Sequence, residues 1–189
     1  MKAPSPEKAP VVLTPEGVIK RRIKEAKRKD SIKTFFIRLV FFVIFVWILF
    51  GVVFGIRVMK NDDMMPRISA GDILLFYRLN TIYRQDDVVV FTIDGTHYAG
   101  RIVAQGGDTV EVTPEAALKV NGNLIIESNI YFETPQYEGG ISCPVTLAED
   151  EFFILGDQRN GAKDSRYLGP VSRADLDGKI ITVIRRSKL

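Results

Sequence analysis

The longest nearly uncharged stretch of the sequence places the strongest constraint on the fold. Residues 35–58 are almost entirely apolar, and their only charges are Arg38 and Arg57, near the two ends. A helix needs about 20 apolar residues to cross roughly 30 Å of hydrocarbon, so this length fits a membrane span. A buried core helix would normally carry a polar face, and this segment has none. We therefore predict a single transmembrane helix over residues 35–58.

The charges that flank this run predict its orientation. The cations before it are Lys20, Arg21, Arg22, Lys24, Lys27, Arg28, Lys29 and Lys33, whereas two aspartates follow soon after it. By the positive-inside rule, residues 1–34 are cytoplasmic and residues 59–189 are extracellular. The run is longer than the apolar core of a cleavable signal peptide, and no small-residue cleavage pattern follows it. We therefore expect it to remain as an anchor in the cell membrane.

Residues 1–34 are predicted to form a basic tail. Residues 1–16 contain four prolines among small and charged residues, which is typical of disorder. The spacing in residues 18–33 favours either an amphipathic helix on the membrane surface or a solvated helical lead-in to the span. The net charge of +3 arises from this region. Basic runs also bind nucleic acids, but attraction to anionic headgroups explains the position better, so we expect membrane lipid as partner and no nucleic acid.

Residues 59–189 have the composition of a β domain. Short β-branched and aromatic runs recur at 73–77, 88–92, 97–98, 101–103, 109–112, 124–126, 152–155 and 179–184. Turn signals divide them at 94–95, 106–108, 121–122, 139–140 and 177–178. Only residues 114–118 have a helical pattern. We predict a mainly β extracytoplasmic domain of curved antiparallel sheets, with residues 113–150 as a smaller inserted subregion.

Cysteine and histidine each occur once, as Cys143 and His97. One thiol excludes an intrachain disulfide, and the two residues are too few for a Cys/His zinc site. We expect neither a metal nor a cofactor. An exported domain without disulfides is typical of a Gram-positive cell surface.

Five ordered segments resemble a known family. They are 64–66 with 71–74, 84–91, 98–110, 120–122, and 156–166 with 169–171. In this order, behind a membrane anchor, they resemble type I signal peptidases, which are membrane-anchored serine proteases that remove signal peptides from exported proteins. The resemblance extends from about Met59 to the carboxyl terminus and implies the signal-peptidase-like β fold.

The departures from this family fall on its catalytic positions. Type I signal peptidases use a serine nucleophile, a lysine as general base and a further hydroxyl that holds the lysine in place. The corresponding positions hold Asp63, Gly100 and Ala162. A fourth departure is Asp86, where the family has glycine. The resemblance therefore implies a degenerate dyad and no catalytic residue.

Asp63 is a poor substitute for the serine. A carboxylate is a weak nucleophile, and its charge opposes the oxyanion that would form beside it. No lysine or histidine occupies a matching position that could activate it. We do not expect Asp62 and Asp63 to act as an aspartic dyad, because adjacent side chains on an extended chain point to opposite faces.

The resemblance also implies two other groups of residues. The predicted peptide-cleft residues are Met59, Met64, Met65, Pro66 and Arg101. The predicted structural lattice of ion pairs and hydrogen bonds consists of Asp157, Arg159, Asp164, Ser165 and Arg166. The alternatives are plain core packing for the first group and ordinary turn and surface charges for the second. Strand addition uses main-chain edges, so peptide binding can persist without a dyad.

Within the family, the departures at positions 63, 100 and 162 resemble the catalytically deficient signal-peptidase-like proteins of Gram-positive pilus loci. This likeness implies a non-catalytic membrane protein that assists sortase-dependent pilus assembly, with a pilin precursor or the pilus sortase as partner. Two alternatives stay open. One is an active type I signal peptidase with unconventional catalytic residues, and the other is a purely structural membrane anchor.

Overall fold

The computed structural model describes residues 15–128 and 130–185. The predicted disorder of residues 1–16 therefore lies almost wholly outside the described residues. The chain divides into two compact units, residues 1–47 and residues 48–189. The described part of the first unit is helical, and the second contains the β-sheets.

Helix α1 runs unbroken over Pro15–Ile48, and a π-helical turn, Leu49–Val53, follows it. Residues 30–53 form a helix of 24 residues that is long and apolar enough to cross a membrane. The basic segment is the first part of α1 and is continuous with the apolar part of the same helix. This continuity fits the helical lead-in alternative.

The predicted span extends too far at its carboxyl end. Phe54–Val58 form strand β1, which pairs antiparallel with β2 (Ile73–Tyr77). Gly55 makes this pairing possible, because a Cβ at that position would overlap the ring of Phe76. A continuous apolar run does not distinguish a helix from a strand, so the sequence pattern could not locate this transition.

The mainly antiparallel β fold behind one amino-terminal helix is confirmed. The remaining strands are β3 (Val88–Ile93), β4 (Thr96–Gln105), β5 (Thr109–Val112), β6 (Leu118–Val120), β7 (Asn123–Leu124), β8 (Val145–Thr146), β9 (Glu151–Leu155), β10 (Val171–Ser172) and β11 (Leu176–Ile184). One sheet has seven strands in the order β1-β2-β11-β3-β4-β9-β10, and the other has four in the order β7-β6-β5-β8. β1 therefore lies at an edge of the larger sheet.

Two hairpins form at predicted turns. Asp94 and Gly95 connect β3 to β4 with positive φ at both residues, 49° and 73°. Asn121 and Gly122 connect β6 to β7 in the same way, with φ of 52° and 78°. Asparagine, aspartate and glycine tolerate this backbone conformation, which matches the twist of the flanking strands.

Residues 114–118, the one stretch of the β domain with a helical pattern in the sequence, form a turn that leads into β6. Thr113 and Ala117 close the turn by a backbone hydrogen bond of 2.8 Å. The short helices of the β domain are α2 (Ser165–Leu168) and a 3-10 turn, Arg173–Asp175. Asp164 caps α2, since its side chain accepts a hydrogen bond from the backbone N–H of Arg166.

A hydrophobic cluster supports the segment between β1 and β2. Its buried members are Met59, Met64, Ile68, Leu74, Phe76, Val90 and Ala99. The members therefore come from the segment itself and from strands β2, β3 and β4. This cluster fixes the loop that contains Asp63 to the larger sheet.

Candidate functional site

Residues 59–72 form a closed loop between β1 and β2. The backbone N–H of Met59 donates to the carbonyl of Asp72, and that of Gly71 donates to the carbonyl of Met59, both at 2.8 Å. Gln158 N–H donates to the Asp63 carbonyl at 2.9 Å, so the loop also binds the segment after β9. Asp63 is thus held by its main chain between two parts of the β domain.

The Asp63 carboxylate is half-buried and bound by neutral donors. Asn61 Nδ2 donates to its Oδ2 at 2.6 Å, and the backbone N–H of Lys163 donates a further hydrogen bond. Burial raises the pKa of Asp63 above its ordinary value, and the charges of Asp164 and Asp62 raise it further, whereas the Lys163 hydrogen bond lowers it. No ion pair within residues 15–128 and 130–185 involves Asp63.

Asp62 and Asp63 lie in a turn, so the premise that this chain is extended is wrong. The Asp62 side chain is exposed, and its Oδ1 accepts a hydrogen bond from the backbone N–H of Ala70 at 2.8 Å. The two carboxylates therefore have different donors. This arrangement differs from an aspartic dyad, in which two carboxyl groups share one proton.

Gly100 lies in β4, and the space beside it is filled. A Cβ at this position would lie 2.5 Å from Cγ2 of Ile154 and 3.2 Å from the Leu155 carbonyl oxygen. Tyr98 and Ile102, two positions away on either side, are buried in the hydrophobic cluster that contains Ile154. Since alternate residues of a strand share a face, a side chain at position 100 would enter this cluster.

Ala162 lies close to Asp63. A Cβ at Gly156 would lie 2.6 Å from the Ala162 Cβ and 2.6 Å from the Asp63 carbonyl oxygen. Ala162 itself is buried, with 2% of its surface exposed. Positions 63 and 162 therefore meet around Gly156. Gly100 lies beside Ile154 and Leu155, the two residues that precede Gly156 in the sequence.

The five predicted lattice residues are all buried, each at most 3% exposed. Asp164 pairs with Arg166 at 2.7 Å, and Ser165 Oγ accepts from the Ile154 N–H at 2.9 Å. Arg159 donates through its three guanidinium nitrogens to the Gly156 carbonyl, Thr134 Oγ1 and Glu127 Oε1.

Arg101, predicted as a peptide-cleft residue, joins this lattice and is absent from the lining of the cleft beside β1. Its Nε and Nη2 each donate to the Asp157 carboxylate at 2.8 Å. Its Nη1 donates to the Asp86 carbonyl, and Asp86 has a φ of 71°. This left-handed conformation favours glycine, which agrees with the residue that the resemblance places there. The fixed guanidinium fork of arginine suits a paired carboxylate, which accounts for the burial of Arg101.

A cleft of about 250 Å³ lies beside β1. It is lined by Ile56, Arg57, Val58, Met59, Lys60, Asn61, Leu74, Val90, His97, Tyr98 and Ala99. Met59 is the one predicted cleft residue in this lining. Met64 is fully buried, and its sulfur accepts from the Asp157 N–H at 3.4 Å, so it follows the core-packing alternative. Met65 and Pro66 are exposed and do not line the cleft.

Sequence reasoning missed three polar features. Asn61 Oδ1 is buried without a hydrogen-bond partner. His97 Nδ1 lies 2.6 Å from Thr92 Oγ1 and 3.2 Å from Asp177 Oδ2, which ties β4 to β11. Lys163 Nζ lies over two aromatic rings. In the sequence, the only sign of a role for Asn61 was that a polar residue stands two positions before Asp63.

Groups of His, Cys, Asp or Glu that could hold a metal ion do not occur among the described residues. The carboxylates at the site instead meet guanidinium groups and N–H donors.

Comparison with known proteins gives the family. The sequence model of the family described as signal peptidase, peptidase S26, matches residues 32–184, which is most of the chain. The chain belongs to the signal peptidase S26 family. This confirms the family that the sequence motifs predicted.

Individual relatives agree with this assignment to the signal peptidase S26 family. Signal peptidase I of Leptolyngbya laminosa is 27% identical over 138 residues, which cover 66% of each chain. Signal peptidase I P of Bacillus subtilis subsp. natto is 25% identical over 169 residues, covering 82% of this chain and 90% of the relative. The match thus spans slightly less than two thirds of the Leptolyngbya protein. A crystal structure of signal peptidase I from Enterococcus faecalis aligns with a TM-score of 0.45 and 26% identity, covering 54% of this chain and 98% of that chain.

Proposed function

We propose that this protein binds extended peptides in the cleft beside β1 without cleaving them, and so assists sortase-dependent pilus assembly. The partner in this proposal is a pilin precursor or the pilus sortase. The basic end of α1 is cytoplasmic and contacts anionic lipid, and the β domain faces the cell exterior. The protein is then a single-pass protein of the cell membrane.

The filled space at Gly100 carries the non-catalytic part of the proposal. Members of the resembled family need a lysine at this position as the general base. Here even a Cβ would lie 2.5 Å from Cγ2 of Ile154. The base is therefore missing, and its place is occupied by core packing.

The chemistry of Asp63 supports the same conclusion. Its charge opposes a developing oxyanion, and the donors that bind its carboxylate are neutral N–H groups. Loss of the nucleophile or the base alone lowers turnover of serine proteases by about 10⁶-fold. Ala162 adds the loss of the orienting hydroxyl. Each departure separately predicts an inactive site.

The edge position of β1 supports peptide binding. β1 pairs with β2 on one side only, so its other edge presents unpaired main-chain groups to an added strand. Three β1 residues, Ile56, Arg57 and Val58, line the cleft. Strand addition at this edge needs neither a nucleophile nor a base.

The main alternative is a signal peptidase in which unconventional residues cleave signal peptides. The structural-anchor alternative predicts that the cleft has no role. The peptide-binding proposal and the structural-anchor alternative predict different effects when the cleft is blocked. The cleft therefore needs to be blocked without disturbing the core.

Val58 and Ile181 provide a matched pair of sites for this test. Val58 is 58% exposed and lines the cleft, whereas Ile181 is 57% exposed on β11 and is not part of the lining. Full-length protein in lipid nanodiscs would be incubated with a pilin precursor from the same genome, and co-purification measured. We expect Val58→Trp to lower binding at least about 10-fold and Ile181→Trp to leave it within about 2-fold.

Equal binding by both variants would contradict a role for the cleft and favour the structural anchor. Binding of an unrelated signal-peptide precursor but not of the pilin precursor would contradict the pilus role while keeping the peptide-binding role. Pilus polymerisation in cells that carry each variant provides the second readout. It should fall for Val58→Trp alone.

A further inference from the structure

Among the described residues, the Asp63 carboxylate has no ion-pair partner. An ionised carboxylate has about four acceptor positions. Two neutral donors bind this one, Asn61 Nδ2 at 2.6 Å and the Lys163 N–H. Ion pairs in the described part of the chain engage other carboxylates. The charge of Asp63 is therefore uncompensated, although the side chain is half-buried.

Asn61 adds a second acceptor without a donor. Its Oδ1 is buried and has no hydrogen-bond partner within the described residues. The amide orientation is fixed, because a flipped amide would place its oxygen against the Asp63 carboxylate. Buried polar atoms in proteins nearly always have a partner, so an orphaned acceptor indicates a donor that arrives from elsewhere.

The position of Asn61 shows where this donor arrives. Asn61 lines the cleft together with Met59 and Lys60, and its side chain contacts Asp63. Asn61 thus connects the cleft wall to the Asp63 carboxylate, which is not itself among the lining residues. A backbone N–H from a bound peptide would satisfy Asn61 Oδ1 but leave the Asp63 charge without compensation. A cationic side chain would satisfy both, since ammonium and guanidinium groups carry several donors and a positive charge.

Two of the protein's own cations, Lys163 and Arg101, are engaged by other groups. Lys163 Nζ lies over the rings of Tyr98 and Tyr167, at 5.9 and 5.6 Å from their centres. Arg101 is held by Asp157. Arg57 and Lys60 line the cleft but are exposed, and within the described residues they form no ion pair.

We infer that Asp63 and Asn61 form a receptor for a lysine or arginine side chain of the peptide bound in the cleft. This inference rests on the proposed function and specifies the chemistry that the cleft selects. Burial raises the pKa of Asp63, and a bound cation would offset that effect by favouring the ionised carboxylate. Asp63 is then a specificity-determining residue and not a nucleophile.

A positional peptide scan tests the inference. The probes are fluorescein-labelled decapeptides of alanine, serine and valine, each with one lysine that is moved along the ten positions. A second set has Nε-acetyl-lysine, which keeps the length of the side chain but lacks its charge. Fluorescence anisotropy measures binding to full-length protein in nanodiscs of a neutral lipid, so that lipid charge does not attract the lysine.

We expect one or two positions at which the lysine peptide binds at least about 10-fold more tightly than its acetylated partner. Asp63→Asn should reduce this preference to about 2-fold or less, and Asp63→Ser, a second neutral variant, should do the same. Asp62→Asn is the matched control, because Asp62 is adjacent but binds the Ala70 N–H. It should keep the preference. Circular dichroism establishes that each variant is folded.

Equal binding of the lysine and acetyl-lysine peptides at every position would overturn the inference. The same conclusion follows if Asp63→Asn keeps the preference or if Asp62→Asn removes it. Equal binding without cleavage would leave the proposed function intact, so the two failures are distinguishable. If no peptide in either set binds, both the inference and the proposed peptide-binding role are contradicted.

Discussion

The Cγ2 methyl of Ile154 lies 2.5 Å from the point that a Cβ at Gly100 would occupy. This distance is too short for two carbon atoms, so the glycine and the isoleucine fit only as a pair. The position that corresponds to a catalytic lysine is thus part of the hydrophobic core. The proposed loss of the base therefore involves the packing of strand β9 against β4 as well as the residue at position 100.

Gly100→Ala is expected to destabilise the β domain. Overpacking a core by one methyl group typically costs about 1–3 kcal/mol, which corresponds to a fall in melting temperature of several degrees. Ile154→Leu removes the Cγ2 methyl and keeps the side-chain volume. In that background the cost of Gly100→Ala should fall by at least half. Thermal unfolding followed by circular dichroism measures the coupling, and equal costs in both backgrounds would contradict the steric explanation.

Restoring the catalytic groups alone is not expected to restore catalysis. The triple variant Asp63→Ser, Gly100→Lys, Ala162→Ser should show no cleavage, because Ile154 occupies the space beside position 100. Adding Ile154→Leu should give measurable cleavage of a signal-peptide substrate. Activity in the triple variant would show that the strands adjust readily around a lysine, and the Ile154→Leu single variant serves as the inactive control.

Arg159 is expected to be the most costly charge to remove from the lattice. Its side chain is fully buried and its three guanidinium nitrogens all donate, so Arg159→Ala leaves Glu127 without its cation. Removing one partner of a buried ion pair costs about 3–5 kcal/mol. Lys119→Ala is the control, because the Lys119–Glu111 pair is exposed and should contribute about 1 kcal/mol or less. Similar melting temperatures for the two variants would contradict this ranking.

The pH dependence of stability should report the environment of Asp63. Its folded-state pKa is raised above the unfolded value of 3.8, so the carboxylate favours folding most when protonated. The penalty from its charge is absent below the unfolded pKa and is complete once the pH exceeds the folded pKa. Asp63→Asn carries no such penalty. Its melting temperature relative to wild type should therefore be higher at pH 7.5 than at pH 4, and the opposite trend would contradict the raised pKa.

Local patterns predicted much of the β domain but not its long-range contacts. The turns at Asp94-Gly95 and Asn121-Gly122 could be read from the residues that tolerate positive φ. The ion pair between Arg101 and Asp157 joins residues 56 positions apart, and no local pattern indicates it. The start of β1 at Phe54 was missed because apolar residues continue across the boundary between helix and strand.

In the candidate site, too, local motifs predicted some features, whereas long-range contacts could not be predicted. Motif order located positions 63, 100 and 162, because the departures stand within otherwise matching segments. It could not show that Ile154 fills the space beside Gly100, since that contact depends on the pairing of β4 with β9. It also could not reveal the buried oxygen of Asn61, because hydrogen-bond satisfaction is a property of the folded chain.

The most direct test of the account is a mass-spectrometric assay for cleavage and binding in one sample. Full-length protein in lipid would be incubated with a membrane-tethered pilin precursor, beside Asp63→Ala and an active type I signal peptidase. The account predicts that the precursor co-purifies with the wild-type protein and stays intact, while the active enzyme cleaves it. Cleavage at the signal site by the wild-type protein that disappears in Asp63→Ala would make Asp63 catalytic and contradict the account.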